Sequence, residues 1–589
     1  MLIRFLLYNL GIFCCLTLTA QTTNPIRINQ LGYYGRGVKI ASWISDERSK
    51  PFFVLNKING DTVFRGTTTG PIRSTNSSLM VHTLDLTPMN RPGTYSISIP
   101  GKASSYNFAI GQHAYFDAAL AALKAFYFQR MSMPIGPAFG GKWSRDAGHP
   151  DDKVLVHASA ASTGRPEGSV LSSPGGWYDA GDYNKYVVNS GITMGTLMSA
   201  YEDFPEYFGK LSTAIPESGN PLPDILDEIL YNLRWMLTMQ DTSDGGVYHK
   251  CTNASFDPMV MPSSCTRPRY MVMKSTAAAL DLAAVCAQAA RIFESFEKIL
   301  PGLSDSCSRA ARMAWKWAVK NPEIIYDQDA MNKNYQPAIS TGSYGDRHLE
   351  DEWFWAASEL LATTGQDKYV KGLDSWINHP LTLSSWSDVG MLGYYSLIRE
   401  QKIFSPAIRQ IILELKNRTI HFADSLLMNA SSSAFRTSMG GSPKDFVWGS
   451  NSVAANQGIV LIQAYLLTKD EKYIQGAIGN ADHILGRNAT GYCFITGMGT
   501  YSTMQPHHRI SIADQILEPV PGLLAGGPNP GKQDGCNYLY SEPETTYLDE
   551  DCSYASNEIA INWNAPLVYL LNAIEAIENS ELRVSDRRF

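Results

Sequence analysis

Hydrophobic and polar positions change their period once along the chain. Between about Pro25 and Ala109 the apolar residues fall in short runs, at 39–44, 52–55, 62–65, 79–86, 94–99 and 105–110. Turn residues such as Asn59-Gly60 and Arg91-Pro92-Gly93 punctuate them. Short strands at this spacing predict a small β-sandwich. After Gly111 the apolar positions recur every three or four residues, the period of an α-helix. The segments 113–130, 189–206, 222–241, 274–297, 304–319, 350–364, 366–375, 389–400, 406–429, 452–468, 470–486 and 557–578 read as helices. Thr276–Ala290 is apolar or small nearly all round, which predicts burial on two sides. So many helices with no alternating strands predict a closed double ring of helices and a mainly α chain. The loops 131–188, 242–273 and 487–556 hold most of the Gly, Pro, His and paired acids, and function concentrates on such loops.

Composition narrows the function. With 44% hydrophobic and 18% charged residues over 589 positions, the chain has material for real cores and is not a disordered scaffold. A net charge of −7 without a long basic run argues against binding nucleic acid. The 12 Trp and 30 Tyr are generous: rings beyond core needs could stack on flat, uncharged ligands, while core and rim packing is the expected place of any given ring. Arg4, an apolar run broken at Tyr8 and Asn9, and Ala20 have the form of a secretory signal peptide. Phe13 before Cys14 fits lipidation badly, so release is expected, to the periplasm or the medium. The expected organisation is a leader at 1–20, a sandwich at 24–110 and a helical domain at 113–578. No later stretch predicts a membrane span, and a monomer is expected. Export permits disulfides, and the sequence-near pairs are Cys251 with Cys265, Cys286 with Cys307 and Cys536 with Cys552, leaving Cys493 over.

Three constellations offer chemistry. In Gly175-Gly176-Trp177-Tyr178-Asp179-Ala180-Gly181-Asp182 two carboxylates stand three residues apart among glycines and rings. Mutual repulsion and nearby apolar surface perturb such a pair, which can make a general base; an Asx-turn or a Ca²⁺ loop would use the same residues. Pro506-His507-His508-Arg509 places donors for a neutral polar ligand, and neighbouring His side chains on an extended segment point opposite ways. Tyr547-Leu548-Asp549, Tyr554 and Glu558 precede the last apolar helix. A helix N-terminus favours an ionised Glu558, so an acid role there needs burial or a neighbouring acid. Zinc-protease and nucleophile-elbow motifs are missing. Gly136–Lys142 nearly spells a phosphate loop, but Trp143 follows where Ser or Thr is required.

Taken in this order, the motifs resemble glycoside hydrolase family nine, the inverting cellulases. Asp179-Ala180-Gly181-Asp182 and the spacing Tyr547, Asp549, Tyr554, Glu558, Asn564-Ala565 carry the likeness. Pro223–Glu228, Gly245–Lys250, Thr496–Gly499 and Trp448-Gly449-Ser450-Asn451 add to it. Ile26–Tyr33 resembles the immunoglobulin-like module that precedes many such domains. The resemblance implies an (α/α)6 barrel, Asp182 as general base, Asp179 as its helper and Glu558 as general acid. It implies sugar contacts by His507, Arg509 and Tyr554, and Trp177 and Tyr178 lie beside the carboxylates as further candidates. An inverting pair stands about 6.5–9.5 Å apart to admit water. The resemblance also implies two structural metals and no organic cofactor. A zinc site before the Asp cluster meets Met131 and Gly148 where cysteines are wanted, leaving His149 and His157, too few for zinc. A calcium site has Asp351 and Glu352, with Asp388 able to add an oxygen. The expected activity is endo-acting hydrolysis of β-1,4-glucan. Xyloglucan, mixed-linkage glucan or exo-acting attack on oligosaccharides stay open, as does a non-catalytic glycan-binding protein. The short tail after the last helix predicts no binding module there, and hence soluble or amorphous chains over crystalline ones.

Overall fold

The structure, a computed structural model, describes residues 24–585 apart from 374, 375, 377 and 378. The leader read at 1–20 lies outside the described residues.

The N-terminal part is a β-sandwich. One sheet orders Ile26–Arg27, Ile40–Ile44, Met80–Asp85 and Thr69–Arg73. The other orders Gly32–Tyr34, Phe108–Gly111, Gly93–Ile99, Pro51–Asn56 and Thr62–Thr67. Alternation decides what faces in: Phe52, Val54, Tyr95, Ile97 and Ile99 of the second sheet meet Ile26, Trp43 and Leu84 of the first. Each run read as a strand overlaps one. The pieces missed, such as Ile26–Arg27 and Gly32–Tyr34, are too short to show an alternation. Gly32 is required where Gly32–Tyr34 pairs parallel with Ala109–Gly111: its φ is +126°, and a Cβ would lie 2.3 Å from the Ala109 carbonyl oxygen.

The rest is helix-rich. Thr276–Glu294 lies against Val187–Asp203, Leu303–Lys320 and Glu350–Thr364, and Ile561–Ser585 lies against Phe116–Phe128, Val187–Asp203 and Ser450–Thr468. Thr276–Glu294 starts where the Ser275 hydroxyl accepts the Ala278 amide, and its alanines let neighbours approach from several sides. It is long and apolar enough to cross a bilayer, but it is 94% buried within protein. Within the segment read as a helix at 366–375, Asp367–Gly372 forms 3₁₀ turns instead, and 374 and 375 lie outside the described residues. The last helix begins at Ile561 instead of 557, because residues 558–560 are extended and bridge to His507, Ala525 and Ala180. The first two long loops also hold a five-stranded sheet, ordered Val170–Leu171, Val154–Val156, Arg269–Met271, Lys250–Asn253 and Lys185–Tyr186.

Sandwich and helical domain share a buried polar joint. The Asn29 side-chain amide donates to Asp482 at 2.6 Å and to the Tyr115 hydroxyl at 3.0 Å. Gln30 donates to the Gly491 carbonyl at 2.9 Å and accepts the Thr500 and Tyr501 amides at 2.9 and 2.7 Å. The Tyr34 hydroxyl donates to Glu575.

Of the expected disulfides, Cys536–Cys552 forms. The other two pairs do not. Cys251 is a buried thiol that donates to Asp151, Cys265 is a free thiol in the following loop, and Cys286 and Cys307 meet as neighbouring thiols. Cys493 is also a buried thiol.

Candidate active site

The Asp179–Asp182 turn is fastened on both sides. Upstream, the Met131 amide donates to the Gly176 carbonyl and the Tyr178 amide to the Gln129 carbonyl, each at 2.8 Å. This pairing turns Trp177 and Tyr178 into the core, where neither is exposed at all. Trp177 donates its indole N–H to Glu228 at 3.3 Å and packs on Phe126, while Tyr178 packs between His149 and Tyr183. The expectation that these two rings contact sugar is therefore corrected: the chain turns outward only at Asp179. Gly175 and Gly176, with φ near +76° and +78°, make the approach to that turn.

Downstream, polar side chains set the carboxylates. Asp182 Oδ2 accepts from the Asn184 side-chain amide at 2.6 Å and the Tyr186 hydroxyl at 3.0 Å; neither bond uses Oδ1. Asp179 accepts from Asn189 on one oxygen and from the Tyr344 hydroxyl on the other, both at 2.7 Å. Burial, then the charge of Asp182, pushes the Asp179 carboxyl well above its ordinary range. Behind the turn, the buried Arg269 and Lys185 both pair with Asp151, and Arg269 also donates to the Tyr183 carbonyl.

Glu558 comes from the far end of the chain. Its backbone is extended, with φ −67° and ψ 159°, and its carbonyl accepts the Gly526 amide at 2.8 Å. It precedes the last helix instead of opening it, so the helix dipole that would favour its ionised form is not aligned on it. Burial pushes its carboxyl well above the ordinary value, with further contributions from the charges of Asp182 and Asp179, against a weaker opposing effect of Arg509.

His507 and Arg509 knit these segments together. A Cβ at Gly181 would lie 2.0 Å from the His507 carbonyl oxygen, so the close approach of the two strands needs glycine. Arg509 donates Nη1 to the Gly181 carbonyl at 2.8 Å and Nε to the Asp257 carbonyl at 2.9 Å. His507 Nδ1 lies 2.5 Å from the Asp551 carbonyl, and burial pulls its pKa down. His508 points the other way, into the core, within 3.0 Å of Gln129. Asp179, Asp182, Glu558, His507, Arg509 and Tyr554 line one cleft of about 920 Å³. Its flat faces are Phe256, Tyr344, Trp386, Trp448 and Trp563. Trp448 pairs with Tyr554 at 5.3 Å between centroids, and Trp386 meets Tyr344 edge-on at 5.3 Å. Tyr344 and Trp386 went unnoticed in the sequence, since they lie far from the acidic motifs and within no pattern of their own.

Two places suit cations. Asp351 and Glu352 open the helix Glu350–Thr364, with Asp346, Asp388 and Asp281 close enough to interact electrostatically. Both oxygens of Glu352, both of Asp281 and one of Asp346 are buried without a hydrogen-bond partner among the described residues. A hard divalent cation would satisfy such oxygens, so the residues fit calcium. Of the residues considered for zinc, His157 is committed to the Pro337 carbonyl at 2.9 Å, whereas His149 stands beside Asp257 and Cys265.

Comparison with known proteins agrees with this geometry. The sequence profile of glycosyl hydrolase family 9 matches residues 115–571, and that of the cellulase N-terminal Ig-like domain matches residues 21–104. A xyloglucan-specific endo-β-1,4-glucanase of Bacteroides ovatus is 44% identical over 573 residues, 97% of each chain. Endoglucanase D of Acetivibrio thermocellus is 32% identical over 561 residues, 94% of this chain and 83% of that one. A solved Bacteroides ovatus family 9 structure superposes with a TM-score of 0.90 at 45% identity, covering 94% of this chain and 99% of that one. With the family profile covering most of the chain, and relatives at 32–44% identity over almost its whole length, the protein belongs to glycosyl hydrolase family 9, its helix-rich domain preceded by an Ig-like sandwich.

Proposed function

We propose that this protein is an exported, inverting endo-β-1,4-glucanase. The observation that carries the reading is one ring-lined cleft that holds Asp179, Asp182 and Glu558, where burial and then the charges of Asp182 and Asp179 push the Glu558 carboxyl well above its ordinary value. In this mechanism Glu558 gives its proton to the leaving glycosidic oxygen. Asp182 takes a proton from water through Oδ1, the oxygen its neighbours leave unused. Asp179, held by Asn189 and Tyr344, helps orient that water. Water attacks opposite the leaving group, so the product anomer inverts. His507, Arg509 and Tyr554 contact sugar hydroxyls, and Trp448 and Trp386 stack on pyranose faces. The helices close as an (α/α)6 barrel with the cleft at one end. A calcium ion held by Asp351, Glu352 and Asp388, joined by Asp346, would brace the segment that carries Tyr344. Cys536–Cys552 suits an oxidising compartment and so supports export. The protein acts as a monomer.

Among substrates, xyloglucan is favoured, because a relative matching 97% of the chain carries that specificity in its name. Unsubstituted cellulose chains are the alternative. Reducing-sugar release from xyloglucan, soluble cellulose derivatives and mixed-linkage glucan tests the choice, with product anomer followed by NMR. Full activity in Glu558→Ala or Asp182→Ala, or a first product of retained configuration, would overturn the mechanism.

A further inference from the structure

The strand Lys250–Asn253 pairs with Lys185–Tyr186 behind the Asp turn, and the pairing sorts their side chains by face. Lys185 opposes Cys251, and both reach Asp151. Tyr186 opposes Lys250 on the other face, toward Asp182. Lys250 is fully buried, yet its three hydrogen bonds go to neutral groups: the Gln328 side-chain oxygen and the Gly342 carbonyl, each at 2.6 Å, and the Thr341 hydroxyl at 3.2 Å. The rings of Tyr186 and Tyr326 lie 5.5 and 5.3 Å from its ammonium. A buried cation normally has a carboxylate against it, because neutral partners offset little of the lost hydration. Burial pulls the pKa of Lys250 down to about 7, and the charge of Asp182 opposes that fall. The hydrolytic steps give this lysine no part.

Two chains of hydrogen bonds run from Lys250 to one oxygen. In the first, Gly342 is held at both ends: its carbonyl accepts Lys250, and its amide donates at 3.1 Å to the Tyr186 hydroxyl, which donates to Asp182 Oδ2 at 3.0 Å. In the second, the Thr341 hydroxyl lies 2.6 Å from that of Thr252, which donates to the Asn184 side-chain oxygen at 3.0 Å. The Asn184 side-chain amide then donates to Asp182 Oδ2 at 2.6 Å. An ammonium can only donate, so every hydrogen of this second chain can point toward Asp182, an arrangement in which each bond strengthens the next. Resting on Asp182 as the general base proposed for it, we propose that Lys250 is the positioning residue of that base. Through Gly342–Tyr186 and Thr341–Thr252–Asn184 it pins Oδ2 and sets a positive charge behind the carboxylate, leaving Oδ1 to the water. His249 steadies the same segment, its Nε2 2.9 Å from the Ser343 carbonyl.

Steady-state kinetics of the full-length protein tests this, on the β-glucan it cleaves fastest and at about pH 6, where the lysine is protonated. Lys250→Met keeps the length of the side chain and removes its charge and donors. Its kcat should fall about 10–100-fold, with KM moved by less than about twofold. The cycle with Asp182→Asn separates positioning from general support of the fold. A residue that acts through Asp182 has nothing left to act on in that background, so Lys250→Met should slow Asp182→Asn by no more than about twofold. Losses that multiply in full overturn the proposal, as does a wild-type kcat in Lys250→Met. Full activity in Asp182→Asn alone overturns the reading of the base instead, before Lys250 is touched. Should Lys250→Met misfold, Thr252→Val cuts the second chain without stranding a charge. Its kcat should then fall about threefold or more with KM unmoved, and an unchanged kcat overturns the proposal.

Discussion

The charge of Asp182 is one reason the Glu558 carboxyl is pushed above its ordinary range, second to burial. Removing that charge must therefore lower the pKa of Glu558, even though the variant is inactive. Asp182→Asn should cut turnover by about 10²–10⁴-fold, and an infrared titration should find the Glu558 carboxyl ionising at lower pH than in the wild type. An unmoved titration would separate the two groups. Tyr344 is a positioning residue of another kind. With φ +48° it sits in left-handed backbone, and its hydroxyl donates to Asp179. Tyr344→Phe should lower kcat about 10–100-fold, the worth of a hydrogen bond to a charged group, with little change in overall stability. Asp179, Asp182 and Glu558 could be named from the sequence because each sits in a dense local motif. Tyr344 and the aromatic faces could not, since only the fold brings them to the carboxylates. Trp177 and Tyr178 were misjudged for the converse reason: adjacency along the chain said nothing of the pairing with 129–131 that buries them.

Strands and helices were legible in proportion to their length. Thr276–Glu294 carries enough periodic positions to be found from sequence, and Lys185–Tyr186 carries too few. Yet the short sheet supports the Asp turn, through Arg269 and Lys185 on Asp151. Burial opposes ionisation of Asp151, but those two cations outweigh it and hold its pKa down to about 2, against an ordinary 3.8. A carboxyl depressed in the folded state stabilises it above the ordinary value and loses that stabilisation as pH falls toward 2. About 2 kcal/mol should thus be lost between about pH 4 and 2, and denaturant melts of Asp151→Asn should show that acid dependence flattened. At neutral pH the variant should be less stable by about 3–5 kcal/mol, since two buried cations lose their partner. Gly181→Ala should act on the turn itself, because the added methyl meets the His507 carbonyl; activity should fall far more than melting temperature.

At the scale of the molecule, the buried polar joint predicts that the sandwich and the helical domain unfold as one cooperative unit. Asn29→Ala leaves Asp482 with Tyr115 and Arg487 and removes a buried bond to a charged group, and should cost about 2 kcal/mol. Calorimetry should show one transition that moves as a whole; two separated transitions would contradict the coupling. The joint also constrains inheritance. Gln30 spends both ends of its amide on backbone of the other domain, at Gly491, Thr500 and Tyr501. A foreign sandwich spliced on at residue 111 would have to carry its own matching amide, and a helical domain released alone would expose backbone groups on the stretch leading to His507. Recombination that treats the two domains as interchangeable cassettes should therefore fail, whereas exchange of the paired surfaces together should succeed.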